Sequence, residues 1–258
     1  MGMAKLSQLL VCFLLVGSGV TVAQTKAPEF LERSIVLDGI EHRYQVYLPQ
    51  NYAATSAWPA ILFLHGGGER GNDGLKQTQV GLGNALRSHP ECWPAIVILP
   101  QVPEGENWQG LAGEVAMTAL DTTMAEFTVA ASRIDLTGIS MGGNGTWYLG
   151  YKHTDRFAAL VAICGFVTLG DCYPAFVATS TDAYKDLAQA LSTKPLWLVH
   201  GDADIVVPVE ESRRMARALE AAGAEIHYTE LPGVNHKSWD AAYENEDLIS
   251  WLFRQQLH

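Results

Sequence analysis

The sequence predicts an α/β domain: a mostly parallel sheet of eight strands with helices on both faces. Three observations carry this. Continuous apolar runs at Pro59–Leu64 (PAILFL), Ala95–Leu99 (AIVIL), Ala158–Ile163 (AALVAI) and Pro195–Val199 (PLWLV) are the pattern of strands buried on both faces. Stretches with helical periodicity separate them. The polar, chemically capable residues gather where the runs end: His65-Gly66-Gly67, Ser140, the segment His200 to Asp204, and the loop holding His236. Ligands of such sheets bind at the carboxyl ends of the strands.

Taken in order, the chain opens with a leader. Lys5 is followed by the apolar stretch Leu9–Val16 and by Thr21-Val22-Ala23, small enough for cleavage before Gln24. That is the tripartite pattern of a secretory signal peptide. The apolar stretch falls short of the ~20 residues a spanning helix needs. The expected division is a signal peptide at 1–23 and one α/β domain at 24–258, secreted or periplasmic, with no membrane span in the mature chain. Ser34–Leu37 and His42–Leu48 alternate apolar and polar and read as a hairpin at the antiparallel edge of the sheet. The buried runs and Arg133–Thr137 supply five more strands, and Glu225–Leu231 closes the set. Helices are expected at Glu114–Phe127, from Gly143 after the Arg133–Thr137 strand, at Asp182–Leu191, at Glu210–Ala222 with Gly223 as its cap, and at Asp240–Gln256.

The formal net charge is −11, one unit more negative once Lys5 is removed. An acidic surface argues against nucleic acid and anionic membranes as partners. Outside the leader the cysteines are Cys92, Cys164 and Cys172. An exported location permits a disulfide between Cys164 and Cys172, leaving Cys92 free; three reduced cysteines are the alternative. None has C-x-x-C spacing, so no metal site is implied. No phosphate loop or dinucleotide fingerprint occurs either, so no cofactor is expected.

Gly138-Ile139-Ser140-Met141-Gly142 sits between a strand and a helix, the setting of a nucleophile elbow. The turn must be sharp to lift the serine hydroxyl above the sheet, and glycines on either side permit it. A serine nucleophile needs a base. Of the histidines, His65 and His200 stand before glycine at strand ends, where side chains brace loops. His42, His89, His153, His227 and His258 lie at the edge hairpin, in a loop, after the elbow helix, within the last strand and at the terminus. His236 alone lies in a turn-rich loop after the last strand. The acid is Asp202 or Asp204, both following the strand that ends at Val199.

LHGGGERG (Leu64–Gly71), GISMGGNGTW (Gly138–Trp147), HGDADIVVP (His200–Pro208) and GVNHKSWDAAY (Gly233–Tyr243) together resemble the α/β-hydrolase superfamily. The closest resemblance is to compact secreted carboxylesterases of the phospholipase/carboxylesterase-like group, which includes feruloyl-esterase-like members and predicted peptidases. The segment between Ile163 and Pro195 holds one helix, Asp182–Leu191, and a short loop, so little or no cap domain is expected. The resemblance implies a triad of Ser140, Asp204 and His236, with Asp202 capping a loop. The pattern H-G-x-x-D-x-x-V-P places the acid at Asp204, and Val207-Pro208 fix its register. It also implies an oxyanion hole from the backbone amides of Met141 and Gly67, with Gly68 the alternative to Gly67. Glu69 and Arg70 are expected to pin that loop. Trp108, Trp147 and Trp239 could line an acyl or aryl pocket; the alternative for each is core packing.

The expected activity is hydrolysis of short-chain or aryl, feruloyl-type esters through an acyl-enzyme, with a small-molecule ester as partner. A serine peptidase or an acyltransferase is the runner-up among enzymes. A catalytically silent binding protein is the alternative from another class.

Overall fold

The computed structural model describes residues 27–177 and 182–257; the expected leader at 1–23 lies outside them. Its centre is one eight-stranded sheet. The strands are β1 (Glu29–Leu37), β2 (Ile40–Leu48), β3 (Trp58–Leu64), β4 (Ile96–Pro100), β5 (Val129–Ile139), β6 (Leu160–Ile163), β7 (Leu196–Gly201) and β8 (Ile226–Leu231). They lie in the order β1-β2-β4-β3-β5-β6-β7-β8. Every pairing from β4 to β8 is parallel, while β1 with β2 and β2 with β4 are antiparallel. The edge hairpin is longer than its alternation suggested. Leu37 pairs with Ile40 across a two-residue turn, and Asp38 and Gly39 take φ of 52° and 76°. Positive φ at both positions is the hairpin turn that matches strand twist.

The apolar runs become strands because neither face meets water. Leu62 and Leu64 of β3 point into one core, together with Ile96 and Ile98 of β4. Ile61 and Phe63 point into the other, together with Val97 and Leu99. All four β3 side chains are fully buried, and each contributes about 1.5–3 kcal/mol by leaving water.

The helices are α1 (Leu82–Ser88), α2 (Leu111–Glu126), α3 (Met141–Lys152), α4 (Ala183–Leu191), α5 (Glu210–Ala221), α6 (Trp239–Tyr243) and α7 (Glu246–Leu252). Helix α5 ends as expected, with Gly223 at φ 79°. The single helix expected over Asp240–Gln256 is two. Asn245 is the reason: its side chain accepts from the Leu248 amide at 3.0 Å, capping a new helix where the first stops. Between Ile163 and Leu196 the described residues hold only α4 and loops, so little stands over the carboxyl ends of the strands. Of the two cysteine alternatives the structure has the reduced one: Cys164 and Cys172 are both free, Cys164 buried and Cys172 exposed. Among the described residues no helix is long and apolar enough to cross a membrane.

Candidate active site

Strand β5 delivers Ser140 into α3 through a strained turn. Ser140 has φ 52° and ψ −112°, a conformation costing about 1–3 kcal/mol for a residue with a Cβ. The flanking glycines are steric necessities. A Cβ on Gly138 would stand 2.2 Å from the Gly142 carbonyl oxygen, and one on Gly142 would stand 1.8 Å from that of Leu64. The turn is tied at both ends, since the Ser140 amide donates to Ile163 O (2.9 Å) and the Asn144 amide to Ser140 O (3.1 Å).

His236 reaches Ser140 from the loop after β8. Its Nε2 lies 2.9 Å from Ser140 Oγ, and its Nδ1 lies 2.7 Å from Asp204 Oδ2. The carboxylate can only accept, so Nδ1 carries the proton and the Nε2 lone pair faces the serine hydroxyl. Asp204 is anchored on its other side, with Oδ1 accepting from the amides of Val206 (2.8 Å) and Val207 (3.0 Å). Burial pushes the Asp204 carboxyl up, but the hydrogen bonds from His236, Val207 and Val206 outweigh it and hold the group below its ordinary value. Asp202 stands elsewhere: its Oδ1 accepts from the Gly233 amide at 2.6 Å, tying the β7 loop to the loop that carries His236.

The glycine loop follows β3. Gly66, Gly67 and Gly68 share one cleft of about 460 Å³ with Ser140, His236 and Trp239. Met141 opens α3 directly after the serine. Arg70 braces this loop by donating to Tyr173 Oη (3.0 Å) and Glu106 O (2.5 Å), not by pairing with Glu69. His65 braces it from below. Its Nε2 accepts from the Val102 amide at 2.9 Å and its Nδ1 donates to Gly66 O at 2.6 Å. Burial drives its pKa down to about 4, so it is neutral there.

Trp108 and Trp147 take the core-packing alternative and are not among the residues lining the cleft. Trp108 is fully buried, donating to His65 O at 3.0 Å with its ring edge-on to the imidazole at 4.9 Å. It supports the glycine loop from the core and does not line the cleft. Trp147 is 2% exposed on the core side of α3. Trp239 does line the cleft, edge-to-face with His236 at 5.5 Å. The remaining wall comes from Gln79, Val80 and Asn84, between β3 and β4, and from Lys237 and Asp240. The sequence reading missed these, because it placed no structure between those two strands.

Among the described residues the one grouping of metal-capable side chains is Cys164, Asp204 and His236, with donor atoms within 4.8 Å of one another. Asp204 and His236 already bond to each other, and burial pushes the Cys164 thiol up to about 12. A cation there would have to displace both arrangements.

A serine with positive φ at a strand-to-helix turn, after β5 of a sheet in this order, is the arrangement of the α/β-hydrolase fold. The chain belongs to the prolyl oligopeptidase family, whose match runs over residues 114–256. A relative described as an uncharacterized secreted protein of Arthroderma benhamiae is 24% identical, over 91% of this chain and 28% of that protein. Acyl-protein thioesterase 1 of Gibberella zeae is 26% identical over 50% of each chain. The chain thus spans half or less of the length of these relatives. The crystal structure of a thermostable esterase matches with a TM-score of 0.75 at 28% identity, over 88% of this chain and 63% of that one. The feruloyl esterase module from Clostridium thermocellum, complexed with sinapinate, matches at TM-score 0.70 and 18% identity, over 90% of each chain, a likeness of fold alone.

Proposed function

We propose that the protein is an exported serine ester hydrolase working through an acyl-enzyme. The observation that carries this is the continuous hydrogen-bonded chain from Asp204 through His236 to Ser140, at the mouth of a cleft bordered by the glycine loop. His236 Nε2 takes the proton as Ser140 Oγ attacks the ester carbonyl. Asp204 holds the imidazole in the required tautomer and stabilises the imidazolium. The amides of Met141 and Gly67 receive the oxyanion. The tetrahedral intermediate collapses as His236 passes the proton to the leaving alcohol. Water then repeats the cycle on the acyl-Ser140 ester and releases the acid.

The small cleft and the absence of a domain over it among the described residues suit short acyl groups or a compact aryl acid, with Trp239 as the aromatic wall. The resemblance to a thermostable esterase supports the ester reading, and the relative described as secreted supports export. A peptidase is the second reading, supported by the family itself and by Dipeptidyl-peptidase 5 of Porphyromonas gingivalis, 24% identical over 81% of this chain and 35% of that protein.

The test is a panel of acetyl, butyryl, feruloyl and long-chain esters beside dipeptidyl amides, with wild type and Ser140→Ala. Hydrolysis of short or aryl esters that vanishes in Ser140→Ala is expected. Turnover confined to the amides would give the peptidase reading, and ester turnover surviving in a folded Ser140→Ala protein would overturn both.

A further inference from the structure

Asp204 is held by two imidazoles, and the reaction above uses one of them. His200, near the end of β7, places Nε2 at 3.1 Å from Asp204 Oδ2, the oxygen that also faces His236. The same nitrogen lies 3.0 Å from Val207 O, and Nδ1 lies 2.7 Å from Ser212 Oγ on α5. We propose that His200 is a positioning residue for Asp204, and that Ser212 and His200 extend the chain Asp204–His236–Ser140 inward to α5. This rests on the triad reading given above.

The hydrogen positions follow from the partners. A carboxylate and a carbonyl both face Nε2, and neither can donate, so Nε2 carries the hydrogen. A neutral imidazole then has its lone pair on Nδ1, which accepts from the Ser212 hydroxyl. His200 is fully buried and Ser212 is 4% exposed, so water does not replace either bond. Burial is the largest influence on His200 and lowers its pKa, against the pull of Val207 O and Asp204. Neutrality matters to the reaction. A cation at His200 would compete with the His236 imidazolium for the one oxygen they share.

The geometry also says why a second donor is needed. Oδ1 is pinned by two amides of its own loop. The carboxyl can still turn about that edge, which moves Oδ2 relative to His236. His200 supplies the second bond to Oδ2 and ties it back to β7. Its bond to Val207 O anchors the same loop. Displacement of a catalytic group by about 1 Å costs on the order of 10²-fold in rate. His200 stands outside the cleft lining, so substrate binding should not feel its loss.

The experiment measures kcat and KM for a short-chain aryl ester with the full chain, in His200→Leu, His200→Gln, His200→Asn and Ser212→Ala, each also combined with Asp204→Asn. Melting temperatures are recorded for all. His200→Leu keeps bulk and removes the donor. The Gln amide can reach the place of Nε2–H, whereas the shorter Asn amide cannot. Expected is a fall in kcat on the order of 10²-fold for Leu and Asn with KM little changed, and recovery to within about tenfold of wild type for Gln. Ser212→Ala should lower kcat less than either. In the Asp204→Asn background the same Leu change should cost less than about threefold, because residues acting as one unit are not additive.

Wild-type kcat in a folded His200→Leu or His200→Asn protein would overturn the proposal. So would equal losses in Gln and Asn, or a full additional loss on top of Asp204→Asn, since either means His200 acts on stability alone. If His200→Leu fails to fold, the Gln and Asn comparison decides. Ester turnover surviving in Ser140→Ala would instead sink the triad reading, whatever His200 does.

Discussion

Asp204→Asn is the perturbation whose size the structure determines most closely. The carboxylate accepts four bonds, two at Oδ1 from the Val206 and Val207 amides and two at Oδ2 from His200 and His236. Asparagine has one oxygen and one NH₂. With the oxygen toward the loop amides, the NH₂ meets two imidazole N–H groups. Turned round, it meets two backbone N–H groups. Either orientation sets donors against donors. The least costly relief is for His236 to move its proton to Nε2, where it faces Ser140 and can no longer act as a base. A triad whose imidazole is in the wrong tautomer loses about 10⁴ in kcat, which is about 5.5 kcal/mol of transition-state stabilisation. Asp202→Asn keeps an oxygen for the Gly233 amide and should stay within about twofold of wild type, as surface substitutions do. The assay is steady-state hydrolysis of a short-chain aryl ester, with circular dichroism to show both proteins folded. A larger loss in Asp202→Asn, or more than a tenth of wild-type kcat in Asp204→Asn, would refute the reasoning.

Three further outcomes follow from particular residues. Asp135 is buried in β5 with Oδ1 unpartnered among the described residues, and burial raises its pKa well above the ordinary value, against the Ala159 amide and Arg133. With the folded value raised, this group's stabilisation is fully present below about pH 4, the unfolded value, and falls by about 1.4 kcal/mol per unit as pH rises from there toward the folded value. The difference in urea-unfolding stability between wild type and Asp135→Asn should carry that slope across the range, and parallel curves would contradict it. Gly142→Ala should lose activity and several kcal/mol of stability together, because the new methyl would stand 1.8 Å from backbone; a native melting temperature in that variant would contradict the elbow geometry. A cleft of about 460 Å³ with nothing built over it among the described residues should show no rise in rate as a long-chain triglyceride passes its solubility limit, and such a rise would argue for a moving cover.

What the sequence could disclose follows from what kind of constraint each feature is. The strands were legible because β3 to β7 lie between two apolar cores, leaving few polar positions to blur the runs. The elbow was legible because Gly138 and Gly142 answer a steric demand that no other residue meets. Helix α1 was not: it runs seven residues from Leu82, too short to display a period. With it went the cleft wall from Gln79 to Asn84. Trp108 shows a different limit. A tryptophan near a glycine loop serves equally as pocket wall or as buttress, and only its contact with His65 distinguishes them. His200 shows the same limit. Its place before Gly201 suggested a loop brace, and the direction of its side chain, toward Asp204 and Ser212, is a tertiary fact.

The central claim is that Ser140 is the nucleophile, activated through His236. A fluorophosphonate probe tests it most directly, since it reacts with an activated serine and leaves a mass tag that can be sequenced. The account predicts one adduct per chain, located on Ser140, with ester hydrolysis lost in proportion to labelling and no adduct in Ser140→Ala. Ester hydrolysis that persists in fully labelled protein, or an adduct on any other serine, would contradict it.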